Sequence, residues 1–186
     1  MHGTLKRKQS KKLTETELKL NLACGKTRLD GCVNVDIIRR EAVDKVCDLT
    51  SAPWPWKSNS VAEIFCTYFF NYLDGYERNK LMDECWRVLK PEGTLQIKVP
   101  HWSSMRSTCD PFYKWPPISE VSFMVYNKEW RERNEQDHYP IKCDFDYSYG
   151  YGLDPALNTR SDDYKQTAVK HYNNAVLDLL VTLKKR

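Results

Sequence analysis

Three apolar stretches near the start of the chain stand too close together for helices to join them. LKLNLAC (18–24), CVNVDI (32–37) and VCDL (46–49) each read as a short buried strand. Seven residues separate Cys24 from Cys32, and ten separate Asp36 from Cys47. A crossover between parallel strands normally takes a dozen residues or more. If these strands are parallel neighbours, their connections are loops, and one face of that part of the sheet lacks its usual helical cover. The first stretch runs into a turn of small residues, Ala23-Cys24-Gly25, and the second ends in the acid Asp36.

The rest of the chain fills in an alternating order. APWPW (52–56) is held out of helix by its prolines. VAEIFCTYFFNYL (61–73) begins as a strand rich in β-branched and aromatic residues. Asp74 and Glu77 have capping-box spacing, and Leu81, Met82, Cys85, Trp86 and Leu89 follow at helical spacing up to Pro91. Pro91-Glu92-Gly93 reads as a turn into a fifth strand, TLQIKVP (94–100). There Leu95, Ile97 and Val99 alternate with Thr94, Gln96 and Lys98. A central parallel strand covered on both faces is apolar throughout, so one face is expected to be partly wet, or covered by a partner or by residues 1–17. Further on, ISEVSFMVYNKEW (118–130) holds one short helix and KCDFDYSYGYGL (142–153) is a strand. SDDYKQTAVKHYNN (161–174) is a helix, and AVLDLLVTLKKR (175–186) a final strand.

Strands interleaved with helices predict an α/β fold. It is Rossmann-like, with a mostly parallel sheet, an antiparallel edge hairpin, and helices reduced after the first two strands. A length of 186 residues suits one domain. Its expected division is a basic arm over 1–17 and a single domain over 18–186. No apolar run reaches membrane-spanning length and no signal-type stretch follows the basic start, which implies a soluble, cytoplasmic chain without membrane partners. The net charge of +4 is a property of that start. Residues 1–20 hold six Lys/Arg and two Glu, so 29 − 6 leaves 23 basic and 25 − 2 leaves 23 acidic residues in the remainder. KRKQSKK (6–12) is expected to be a solvated arm, with weak nucleic-acid contact through 5–12 as its functional alternative. The seven cysteines include no Cys-x-x-Cys pair and share no ligand spacing with His101, His138 or His171, so they read as free thiols, and no metal is expected.

LNLACG, VNVD, CDL, the aromatic strand end and ECWRVLKPEGTLQIKVPH, in that order, resemble the class I S-adenosylmethionine-dependent methyltransferases. The likeness is closest to their small type 11-like branch, whose members often read LNLGCG…G-(Y/W)-x-N-V-D across the same shortened gap. It covers residues 18–101 well, with R-V-L-K-P-E-G-T-L at 87–95 its most characteristic piece, and implies 18–101 as the cofactor half and 102–186 as substrate-side loops and terminal strands. The resemblance implies S-adenosylmethionine as cofactor and methyl transfer as the activity, to an acceptor that no motif here identifies. It places the methionine part against Asn21, Ala23, Cys24 and Gly25, where small residues let backbone amides approach closely. Ala23 stands where the branch usually has its first glycine. Asp36, with Ile37 beside it, would accept from the ribose hydroxyls, its alternative being a turn-forming Asp. Asp48 and Leu49 would flank the adenine. Tyr68 and Phe69 would line the cofactor or belong to the core.

His101, just after the fifth strand, is the first candidate base, at the end of the sheet where open α/β folds place ligands. Tyr113, Asn71 and Asp110 are further candidates. DPFY (110–113) is similar to the Asp-Pro-Pro-Tyr motif of amino-directed DNA methyltransferases, but it lies past the fifth strand and lacks the second proline. No cysteine follows a proline, as the C5-cytosine class requires. Trp54, Trp56, Trp102, Trp115, Tyr147, Tyr149 and Tyr151 could wall an acceptor pocket or fill the core. Two other readings stay open: a cofactor-binding module without turnover, motivated by the reduced turn, and a nucleic-acid-interacting protein. A homodimer is compatible with either.

Overall fold

The computed structural model describes residues 17–186, so the basic stretch 5–12 and nearly all of the expected arm lie outside the described residues. Seven strands form one sheet: β1 (Lys19–Leu22), β2 (Val33–Asp36), β3 (Lys45–Val46), β4 (Val61–Thr67), β5 (Leu89–Pro100), β6 (Phe145–Leu153) and β7 (Val176–Lys185). Their order is β3-β2-β1-β4-β5-β7-β6. The first five run parallel, and β7 is antiparallel to both β5 and β6. This is the Rossmann-like mixed sheet with an antiparallel edge that the alternating pattern predicts. The last two strands are not a tight hairpin, because residues 154–175 and the helix α3 (Asp162–His171) join them.

One face of the sheet carries the core. Leu20, Leu22, Val35, Ile64, Cys66, Leu95, Ile97, Val99, Leu179, Val181 and Leu183 are all buried and fall in register across five strands. Helix α1 (Gly75–Val88) packs here through Leu81, Met82, Cys85 and Val88. Its start is the expected capping box: the Asp74 carboxylate accepts from Glu77 N, and the Glu77 side chain accepts from Asp74 N. Over the same face, Phe123 of a 3-10 turn (Glu120–Tyr126) stacks on Phe70 and Tyr126 meets it edge-on, and a short helix α2 (Lys128–Arg133) follows.

The helix ends three residues before Pro91, which differs from the sequence reading. Strand pairing takes over at Leu89, and Pro91-Glu92-Gly93 is a bulge inside β5 rather than a turn ahead of it. Proline is tolerated there because a bulge leaves its missing N–H unused. Glu92 takes a left-handed φ of 67°. Gly93 is required by contact, since a Cβ would sit 2.9 Å from the Lys90 carbonyl oxygen and 3.0 Å from that of Ala62.

No helix forms in residues 23–32 or 37–44. In place of packed helices, two buried asparagines hold the loops. Asn34 Oδ1 accepts from Leu29 N (2.8 Å) and from Asn21 Nδ2 (2.8 Å), while Asn34 Nδ2 donates to the Asp44 carboxylate (3.0 Å) and to the Cys32 carbonyl (3.1 Å). Asp44 also accepts from Asn34 N and from Arg28 Nη1. Further along the same face the sheet is polar: Lys19 pairs with Glu63 at 2.8 Å, Gln96 donates to Glu63, and Thr67, Gln96, Thr182 and Lys184 are exposed. All seven cysteines are free, and Cys24, Cys66, Cys85 and Cys143 are buried. Burial pushes the Cys66 thiol up to about 12.

Candidate cofactor and acceptor site

The carboxyl ends of β1, β2 and β4 meet at one edge of the sheet. The chain leaves β1 through Ala23 (φ 50°), a left-handed position unusual for alanine, and Gly25 (φ 57°), where a Cβ would meet nothing within 4 Å. The turn is tied across to β2. Cys24 N donates to the Val35 carbonyl at 3.0 Å, and Gly25 N donates to Asp36 Oδ2 at 2.8 Å. Asp36 Oδ1 accepts from Ile38 N at 2.9 Å. A carboxylate has about four acceptor positions, so Asp36 keeps free ones beside the open space at Gly25. Ile37 next to it is exposed.

Asp48 is half-buried and heavily used by its own turn: Oδ1 accepts from Thr50 N and Oγ1, and Oδ2 accepts from Ser51 Oγ. These bonds hold its carboxyl below the usual range. Leu49 is buried, and its carbonyl accepts from Trp54 Nε1. Trp54 is core, with Trp56 edge-on against it at 6.1 Å. Tyr68, directly after β4, has a φ of 54°. Such a conformation in a bulky residue marks a segment over-determined by its surroundings. Phe69 is half-buried beside it.

Of the four candidate catalytic residues, the structure brings three together. Tyr72 donates to Asp110 Oδ2 at 2.8 Å, and its ring meets Tyr113 edge-on at 4.8 Å. Asn71 is buried with neither amide atom hydrogen-bonded, and it lines a small cavity with Tyr113, Ser107 and Arg78. Its carbonyl accepts from Lys114 N, which fixes the 110–114 loop to the end of β4. Burial and the Asp110 contact raise the Tyr72 hydroxyl, which stays a donor at neutral pH.

His101 stands apart. It is 3% exposed, with Nδ1 2.8 Å from Ser103 Oγ and Nε2 3.3 Å from Glu120 Oε1. Tyr151 hydrogen-bonds the same Glu120 oxygen. Burial pushes the imidazole below its usual pKa against the pull of Glu120. The ring is enclosed between the 120–126 turn and Tyr151 of β6, edge-on at 5.9 Å, and its buried Nε2 makes no hydrogen bond. The side chain of Asn21 is likewise spent inside the fold, on Asn34 and the Thr27 carbonyl. The aromatic set is dispersed: Trp102 and Trp115 are exposed on the 101–117 loop, whereas Tyr147, Tyr149 and Tyr151 run along β6.

Sequence reasoning missed a charged cluster beside Tyr68. The Tyr68 hydroxyl donates to Asp178 Oδ2 at 2.9 Å, and Arg106 Nη2 donates to the Tyr68 oxygen at 3.1 Å. Lys98 Nζ lies 3.2 Å from Asp178 Oδ2, and both cations sit over the Tyr68 ring. The available signal was Asp178, a lone acid in the apolar run AVLDLLV.

Residues 20–97 match the family model described as a methyltransferase domain. Among solved structures, the chain is similar to a SAM-dependent methyltransferase from Archaeoglobus fulgidus, at 15% identity and TM-score 0.62 over 91% of this chain and 86% of that one. It is also similar to a putative S-adenosylmethionine-dependent methyltransferase from Listeria monocytogenes, at 11% identity and TM-score 0.56 over 92% and 90%. A third is the 1,6-didemethyltoxoflavin-N1-methyltransferase of Burkholderia thailandensis, solved with 1,6-didemethyltoxoflavin and S-adenosylhomocysteine, at 11% identity and TM-score 0.55 over 90% and 70%. A comparison with curated protein sequences finds no match. The sheet order and these similarities define the class I methyltransferase fold. Residues 20–97, a little under half of the chain, match that methyltransferase-domain model, and the whole chain shares the fold of these SAM-dependent methyltransferases. Among the described residues, no helix is long and apolar enough to cross a membrane.

Proposed function

We propose that this chain transfers a methyl group from S-adenosylmethionine to an oxygen or nitrogen nucleophile of an acceptor seated over the carboxyl ends of β4 and β5. The observation that carries the reading is the 2.8 Å bond from Gly25 N to Asp36, which sets a carboxylate of the kind that suits a ribose diol beside a turn with no side chain in the way. The residues suit the parts of the cofactor. The backbone of Ala23, Cys24 and Gly25 lies along the methionine part, and Asp36 with Ile37 holds the ribose. Asp48 and Leu49 flank the adenine, Asp48 through its one remaining acceptor position, and Tyr68 and Phe69 close the side toward the acceptor. When bound, the cofactor supplies an electrophilic methyl group on a sulfonium.

The chain's share of the chemistry is mainly orientation and exclusion of water, and in-line placement of a nucleophile lowers a barrier by several kcal/mol. Asp110, at the mouth with Tyr72 and Tyr113, can accept the proton of an O–H or ammonium acceptor. His101 acts in this reading as a positioning residue. Its enclosure also favours a second reading, a module that binds the cofactor without turnover.

Calorimetric titration of S-adenosylhomocysteine tests the site, with Asp36→Ala and Asp36→Asn beside the wild type. The expected result is micromolar binding that weakens about tenfold or more in both variants, since one charge-assisted hydrogen bond is worth about 1.5–3 kcal/mol. Equal binding in all three would remove Asp36 from the cofactor site. Binding without labelled methyl transfer to any acceptor would leave the second reading.

A further inference from the structure

Resting on the methyltransferase reading, we propose that the acceptor carries an anionic group, a carboxylate or a phosphate, bound between Lys98 and Arg106 over the Tyr68 ring. The two cations come from different elements, β5 and the 3-10 turn Met105–Ser107, and they share one carboxylate, Asp178 of β7. Asp178 is 6% exposed, while the Lys98 and Arg106 side chains are 41% and 46% exposed. The anion is therefore buried beneath two half-open cations, which leaves one positive charge in excess at the surface. Nearby, Asp110 already accepts from Tyr72 and Phe112 N.

The donors are held in place rather than free. Arg106 uses Nη1 on Asp178 and Nη2 on Tyr68, and the remaining N–H groups of its five are unassigned. Lys98 Nζ lies 5.3 Å from the centre of the Tyr68 ring, and Arg106 Cζ 5.4 Å. Asp178 Oδ1 is buried and accepts no hydrogen bond although Arg106 Nη1 is 3.2 Å away. An ion pair serving stability alone would match one cation to one carboxylate and complete the bonds of both oxygens. Two fixed cations with spare donors beside the strained end of β4 form a fork for a planar or tetrahedral oxyanion. That fork adjoins Tyr68, the residue proposed to separate cofactor from acceptor, so it would orient the far end of a small acceptor.

The probes are sodium phosphate and, in a parallel arm, sodium acetate. Each is titrated at constant ionic strength into ¹⁵N-labelled full-length protein, with and without S-adenosylhomocysteine, and read at the Arg106 Nε–H resonance. The expected result is a saturable shift with a Kd of about 1 mM for at least one anion, at least tenfold weaker in Lys98→Met, and saturable broadening of neighbouring backbone amides that is lost in Arg106→Gln. Saturation by one anion alone names the group. Linear, non-saturating shifts for both anions overturn the proposal, as does unchanged saturation in the variants. S-adenosylhomocysteine titration of the same sample keeps the two readings apart. If it binds and neither anion saturates, only the anionic acceptor fails. If it does not bind, the methyltransferase reading fails and any anion binding loses its assignment to an acceptor.

Discussion

Gly93 and Asp36 illustrate two ways in which a single side chain, or its absence, decides local structure. At Gly93 the backbone of β5 passes so near the Lys90 and Ala62 carbonyls that even a methyl group is excluded. Gly93→Ala is expected to destabilise the protein by about 1–3 kcal/mol, the usual range for forcing atoms into packed space, measurable as a lower urea midpoint with an unchanged slope. For Asp36 the sequence left a ribose-binding acid and a turn-forming Asp both open, and in the structure its carboxylate accepts from the turn amides of Gly25 and Ile38. His101 was legible as a titratable residue at a strand end, yet its enclosure was not, because Glu120 and Tyr151 reach it from separate segments of the chain.

At the scale of elements, the shortened crossovers are the distinctive part of this fold. A helix on a sheet buries an apolar stripe and satisfies its own backbone. Here the loops are too short for that, and the side chains of Asn21, Asn34 and Asp44 satisfy loop amides and carbonyls instead. Asn34→Ala is expected to cost about 2–4 kcal/mol, since several buried groups lose partners worth about 1–3 kcal/mol each, and to weaken S-adenosylhomocysteine binding by loosening the turn at Gly25. Thermal unfolding and calorimetry read the two effects.

The same network predicts an acid response. Hydrogen bonds from the Asn34 backbone amide, then from Arg28 and the Asn34 side chain, lower the Asp44 pKa to about 2. A carboxyl depressed in the folded state stabilises it above the unfolded value of about 3.9 and loses that contribution as pH falls toward the folded value. Stability is expected to drop between about pH 4 and pH 2, and Asp44→Asn to flatten that part of the pH–stability curve. Most strands, the capping box and the missing helices could be read in the sequence, whereas of VCDL (46–49) only Val46 belongs to β3. The end of α1 could not, because Pro91 reads as a helix stop, whereas pairing of Leu89 with Val61 ends the helix sooner.

At the scale of the whole molecule, the last strand in sequence is an inner strand of the sheet. β7 lies between β5 and β6 and buries Leu179, Val181 and Leu183. A chain truncated after Asn174 would leave one side of β5 unpaired and β6 unattached, and it is expected to lose cooperative unfolding altogether. A broad, sloping melt by circular dichroism would show this, while a sharp transition near that of the full chain would contradict it. The insertion of β7 also carries Asp178 to Lys98, Arg106 and Tyr68.

The sequence by itself determined the class of fold, most of the strands along the chain, the loop crossovers and the acid at the end of β2. These depend on periodicity, chain length and local turn chemistry, which act between residues a few positions apart. Only the tertiary structure decided that His101 is enclosed, that Asn71, Asp110 and Tyr113 share one mouth, and that two cations converge on Asp178. Those arrangements join residues up to 110 positions apart. Strand order and register set such distances, and a one-residue slip in β7 would turn Asp178 to the opposite face.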